Sequence, residues 1–130
     1  MSGKFLLDTN ILIALFKHEK AIIEKLSEQN NICYTSFITI GELYYGAFNS
    51  FKIEENLLQL SKLRQVIPIL KSSDTTSMLY GKIKTGLKKK GKPIPENDIW
   101  IAALAKEHDL ILVTRDKHFE EIEDLKVEKW

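Results

Sequence analysis

Four acidic residues, Asp8, Glu42, Asp98 and Asp116, are spread over the chain, and each stands where a strand ends or a helix starts. Asp8 closes the apolar run Lys4-Phe5-Leu6-Leu7, and Asp116 follows Leu110-Ile111-Leu112-Val113-Thr114. Glu42 is expected in the first turn of a helix opening at Thr39, and Asp98 in the first turn of a helix capped by Asn97. In open α/β sheets, ligands bind in the crevice at the carboxyl ends of the strands. Four acids meeting there would repel, at roughly 3 kcal/mol per pair 5 Å apart in an effective dielectric of 20. Protons or a cation must offset that. An oxygen-only donor set selects hard ions, Mg²⁺ or Mn²⁺, over zinc. Such an ion makes a nucleophile of bound water and offsets charge building on a phosphate, so the chemistry is phosphodiester hydrolysis.

Each acid also has a plainer explanation. Asp8-Thr9-Asn10 fits an Asx turn with Asn10 capping the next helix. Thr39-x-x-Glu42 is a capping-box pattern. Asp98 in a first helical turn is favoured by the helix dipole, and Asp116 suits a turn. The set carries the functional reading, because four independent coincidences at one sheet end are otherwise required. Asp8, Asp98 and Asp116 are the expected metal ligands, while Glu42 is shared between capping and catalysis.

The elements that must position these acids alternate. Strands are expected at Lys4–Leu7, Ile32–Thr35, Val66–Leu70 and Leu110–Thr114, with an edge strand at Lys126–Glu128. Pro68 marks the third as an edge or a short strand. Helices are expected from Ile11 to Phe16, from Ala21 to Leu26, after Thr39, over Glu54–Gln65, over Ser72–Lys90 ending at Gly91, and after Asn97. Such alternation predicts an α/β fold, a parallel sheet wrapped by helices.

The bulk numbers agree with one domain spanning residues 1–130. The chain is 44% hydrophobic and 28% charged, which excludes disordered and fibrous classes. Its net charge of +1 exerts no global pull on nucleic acid, so such binding needs a local patch. The single cysteine, Cys33, forms no internal disulfide and sits in an apolar run, as a buried inert thiol would. No apolar stretch reaches the roughly 18 residues of a membrane span, so a soluble, cytoplasmic protein is expected.

Four segments resemble the PIN-domain nucleases, and among them the VapC-type toxins of toxin–antitoxin pairs. They are Phe5-Leu6-Leu7-Asp8-Thr9-Asn10-Ile11-Leu12, Thr39-Ile40-Gly41-Glu42-Leu43-Tyr44-Tyr45-Gly46, Asn97-Asp98-Ile99-Trp100-Ile101-Ala102-Ala103 and Leu112-Val113-Thr114-Arg115-Asp116-Lys117-His118-Phe119. The resemblance spans almost the whole chain with its motifs in order. It implies a three-layer fold with a parallel sheet of four or five strands, and Mg²⁺- or Mn²⁺-dependent endoribonuclease activity. It places the acids of that family on Asp8, Glu42, Asp98 and Asp116, with Thr114 lining the site and Asn10 supporting Asp8. It also implies a homodimer and a small antitoxin partner whose tail covers the acidic pocket. Many relatives carry a further acid shortly after the Asp116 equivalent, where this chain has Lys117 and His118. The number of metal ions is therefore left open. His118 is expected at the surface, with phosphate binding or metal ligation as the alternatives.

Lys82, Lys84, Lys88, Lys89, Lys90 and Lys92 gather before Asp98 with no acid among them. They read either as a solvated helix face or as a phosphate-binding rim, and Lys88, Lys89, Lys90 and Lys92 are the candidate RNA contacts. Tyr44, Tyr45, Phe48 and Phe51 are expected mostly in the core. Any exposed surplus, with Leu12, Leu15 and Phe16, would form a groove for an antitoxin helix, or rings for stacking on RNA bases. Three rivals stand beside this reading: an RNA-processing PIN nuclease outside any toxin pair, a haloacid-dehalogenase-like phosphatase using Asp8 as nucleophile, and a non-catalytic receiver-like or decayed fold. The phosphatase wants a second acid where Asn10 stands, and a receiver wants paired acids at the first strand end.

Overall fold

A computed structural model describes residues 3–130. The chain runs β1 (Gly3–Leu7), α1 (Thr9–Phe16), α2 (Lys20–Leu26), β2 (Asn31–Ser36), α3 (Phe37–Phe48), α4 (Ile53–Val66), β3 (Ile69–Leu70), α5 (Asp74–Lys90), α6 (Glu96–Glu107), β4 (Ile111–Val113), a 3₁₀ turn (Lys117–Glu121) and β5 (Val127–Glu128). The strands form one five-stranded sheet in the order β3-β2-β1-β4-β5, and every neighbouring pair is parallel.

The sheet separates two apolar cores, which is why β1 and β4 read as unbroken hydrophobic runs. Phe5, Leu7 and Val113 face one core with α1 to α4. Leu6 and Leu112 face the other with α5, α6 and Phe119. The period of two along a strand assigns each residue to its layer, and the three-layer α/β architecture follows. Trp130 packs onto the first core and meets the ring of Phe5, on the central strand, edge-on at 5.1 Å.

Four local expectations shift. Asp8, and not Asn10, caps α1 by accepting the Thr9 N–H. β2 runs into α3 without a loop, so Ser36 is the cap and accepts the Thr39 N–H. That puts Glu42 in the second turn and removes its capping-box role. α6 begins at Glu96 with Pro95 in the cap position, so Asn97 is already helical. β3 shrinks to two residues at the sheet edge because α4 extends through Val66, while the Pro68 carbonyl accepts from the Thr35 N–H. Gly91 ends α5 as expected, at φ 67, in the left-handed region that a glycine enters without strain. Cys33 is half-buried, and burial pushes its thiol up to about 11, leaving it protonated and unreactive. Among the described residues no helix is long and apolar enough to cross a membrane.

Candidate active site

Strand order reverses between β1 and β4: β2 and β3 lie on one side, β5 on the other. The two strands pair in register, Leu7 beside Val113, so their carboxyl ends open together into the crevice expected at such a switch point. Asp8 leaves β1 there, with its N–H bonded to the Val113 carbonyl at 3.0 Å. Only 5% of Asp8 is exposed. Its Oδ1 accepts from the Thr9 N–H at 2.8 Å, and its Oδ2 from the Thr114 hydroxyl at 2.7 Å. Burial holds its carboxyl above the usual range despite these bonds, and the charges of Glu42 and Asp116 add to the effect.

Asp116 and Asp98 reach the crevice from two elements that pack against each other, the 3₁₀ turn after β4 and α6. The Asp116 N–H donates to Thr114 Oγ1 at 3.0 Å, and its Oδ1 caps the 3₁₀ turn through the His118 N–H at 2.9 Å. Asp98 comes from the first turn of α6, with its N–H bonded to the Pro95 carbonyl. Its carboxyl is pushed up to about 6, chiefly by burial; the His118 hydrogen bond opposes this, and the Asp8 and Asp116 charges reinforce it.

His118 stands in the cluster. Its Nδ1 lies 3.3 Å from Asp98 Oδ2 and 3.0 Å from Asp116 Oδ1, although half its side chain is exposed. One donor atom from each of Asp98, Asp116 and His118 falls within 4.8 Å of the others. The expected trio was Asp8, Asp98 and Asp116, so the tightest grouping exchanges Asp8 for a histidine nitrogen. The 3₁₀ turn causes the exchange by folding His118 back over the residue that starts it. Two carboxylates and one imidazole suit a divalent cation, and Asp8 adds negative charge behind them.

Glu42 is the outlying member, exposed on α3. Thr9, which the motif reading passed over, links it to the rest: its N–H holds Asp8 and its hydroxyl donates to Glu42 Oε1 at 2.9 Å. The signal was present as a hydroxyl beside Asp8, but its partner lies 33 positions away. Asn10 bridges the two strand ends. Its amide contacts Asp8 Oδ2 at 3.5 Å and Thr114 Oγ1 at 3.4 Å, and its carbonyl accepts from the Arg115 N–H at 3.3 Å. Asn10 thus occupies the position where a phosphatase of the rival class needs an acid. The Arg115 side chain turns away to a two-pronged pairing with Glu19, at 3.2 and 2.9 Å, and leaves the acids unneutralised.

The basic run lies at the same end of the molecule. α5 packs against α6, and residues 91–95 join them, so Lys88, Lys89, Lys90 and Lys92 stand by the α6 end that carries Asp98. Lys90 is held by the Glu121 carbonyl at 2.7 Å, and Lys84 pairs with Glu96 at 2.8 Å. Lys88, Lys89 and Lys92 form no ion pair among the described residues.

A groove of about 410 Å³ runs between α1, α3 and α4, floored by Leu43, Ala47 and Leu60 and reaching Thr9 and Glu42 at one end. Phe16 lines it as expected, but Leu12 is wholly buried and Leu15 packs on the core, so Ile13 takes their place. Tyr45, Phe48 and Phe51 are exposed and only Tyr44 joins the core, the reverse of the expected balance.

Residues 5–125 match the model of the PIN domain. The fold and the acidic crevice are those of that class, and the chain belongs to the PIN-domain family, within its VapC group. It is 38% identical over 130 residues to ribonuclease VapC1 of Haemophilus influenzae, covering 97% of both chains. It is 33% identical to the tRNA(fMet)-specific endonuclease VapC of Shigella flexneri, covering 98% of both. Among solved structures, VapBC2 of Rickettsia felis bound to a DNA fragment from its promoter superposes with a TM-score of 0.92, at 34% identity and 98% coverage of both chains.

Proposed function

We propose that the chain is a Mg²⁺- or Mn²⁺-dependent endoribonuclease and the toxin of a toxin–antitoxin pair. The observation that carries this reading is the convergence of Asp8, Glu42, Asp98 and Asp116 at the switch point of the sheet, in a chain whose relatives are VapC ribonucleases. Asp98 and Asp116, with His118 and the charge of Asp8, would hold the cation, whose chemistry there would be to lower the pKa of a bound water and to offset charge on the scissile phosphate. Glu42 is exposed and oriented by Thr9, and serves as the base that takes the proton of the attacking water. Thr114 and Asn10 hold Asp8 in place. Lys88, Lys89 and Lys92 draw the RNA backbone toward the crevice, and Lys90 joins them if its bond to Glu121 opens.

The structures it resembles are toxin–antitoxin complexes. The α1/α3/α4 groove fits an apolar antitoxin segment, and such a segment reaches Glu42 and covers the crevice. The toxin acts as a homodimer in the cytoplasm. The deciding experiment incubates the protein with total RNA, with and without Mg²⁺ or Mn²⁺, beside Asp8→Ala. Cleavage that needs both the metal and Asp8 is expected. Cleavage indifferent to either would refute the assignment.

A further inference from the structure

Beside the acids lies an aromatic recess that the hydrolytic step does not use. Phe37, Gly41 and Tyr45 follow one another at four-residue spacing on α3, so they share one stripe of the helix. Phe37 is 43% exposed and Tyr45 73% exposed, and neither belongs to either core. With Ile38, Thr9, Glu42 and Asn97 they line an open recess of about 670 Å³. Thr9, which bonds both Asp8 and Glu42, lines the recess together with Glu42, so the recess adjoins the acidic site.

Two details suit a flat ligand. A Cβ at Gly41 would meet nothing within 4 Å. This mid-helix glycine, which costs helix stability, is therefore not required by close packing, and it leaves a bare floor between the rings. The Asn97 amide forms no hydrogen bond among the described residues, and it offers both a donor and an acceptor at the rim.

We propose that this recess takes the nucleobase adjacent to the cleaved phosphate, stacked on Tyr45 or Phe37, with its edge read by Asn97. The inference rests on the nuclease reading and deepens it. A base is flat and presents a π face and a hydrogen-bonding edge, which matches two exposed rings and a free amide. A phosphate held at the acids leaves its attached nucleoside within the adjoining recess.

The test measures KM and kcat on a short single-stranded RNA, with Mg²⁺ or Mn²⁺, for the intact chain, Phe37→Ala, Tyr45→Ala and Tyr45→Phe. The substrate is also made with single abasic positions around the cut. At least one alanine variant should raise KM by about tenfold with kcat little changed, and if that variant is Tyr45→Ala, Tyr45→Phe should restore it. One abasic position should raise KM equally in the intact chain and add nothing in that alanine variant. Cleavage with KM unchanged in both alanine variants would overturn this proposal alone. No cleavage by the intact chain would remove the nuclease reading and this proposal with it. Sedimentation showing that either alanine variant turns a dimer into a monomer would assign the face to a second copy of the chain and overturn the base site.

Discussion

The Thr114 hydroxyl donates to Asp8 Oδ2 at 2.7 Å while accepting the Asp116 N–H at 3.0 Å. One buried oxygen thus ties the acid leaving β1 to the acid following β4. Thr114→Val keeps the shape, removes the donor and leaves Asp8 buried with a weakened partner set. A loss of roughly 1–3 kcal/mol in stability is expected, together with weaker Mg²⁺ or Mn²⁺ binding, because the Asp8 carboxyl is driven further toward its neutral form. Thr114→Ser should recover most of both. Urea melts and metal titration decide it; metal affinity unchanged in the valine variant would contradict the role.

Asp98 gives a stability signature of unusual sign. Its folded value of about 6 lies above the ordinary 3.8. The folded state therefore holds the proton more tightly than the unfolded chain, and stability falls as pH rises from about 4 to 6. In EDTA, Asp98→Asn should stabilise the protein at pH 7.5, on the order of 1–2 kcal/mol, and change little near pH 3. Adding Mg²⁺ should raise the melting temperature of the parent and not of the variant. A variant less stable than the parent at pH 7.5 in EDTA would rule out a buried, repelled carboxylate.

Glu42 is exposed and lies outside both cores, so its loss should separate activity from folding. Glu42→Gln is expected to melt within about 0.5 kcal/mol of the parent. Its RNA cleavage should fall by about 10²–10⁴-fold. Thr9→Val, which removes the hydroxyl that orients Glu42, should cause a smaller loss in the same direction. Full activity in Glu42→Gln would leave the residue a surface glutamate.

Neutralising Lys88, Lys89 and Lys90 together should weaken RNA binding and flatten its salt dependence, by roughly 0.7 in slope for each phosphate left without its lysine. Lys90 is already bonded to Glu121, so Lys88 and Lys89 should account for most of the change. Binding measured at several salt concentrations with an uncleaved RNA gives the slope, and an unchanged slope would return these residues to a solvated helix end.

The haloacid-dehalogenase alternative makes a different demand, a phosphorylated Asp8. Both Asp8 oxygens accept hydrogen bonds and the residue is buried, so no covalent phosphoaspartate is expected on incubation with acyl phosphates. Intact-mass measurement would reveal one.

Local pattern determined a great deal. Phe5-Leu6-Leu7 and Ile111-Leu112-Val113 are apolar on both faces because helices cover both faces of the sheet, and an apolar run records that directly. Gly91 announced the end of α5, and Asp8 and Asp116 announced strand ends, because caps and turns act within a few residues. Other features depended on distances no local pattern contains. The Ile13-for-Leu12 exchange in the groove is one case: α1 starts two residues before the expected Ile11, and which side of a helix faces the core depends on its packing, each residue turning it by about 100°. Glu42 lost its capping role because β2 enters α3 directly at Ser36. Thr9 meets Glu42 only because α1 and α3 pack together. His118 joins Asp98 because a 3₁₀ turn and the start of α6 arrive at one crevice. The four acids could therefore be named from the sequence, but which side chains come together around them, His118 and Thr9 included, was decided by the register of β1 on β4 and the packing of the helices around it.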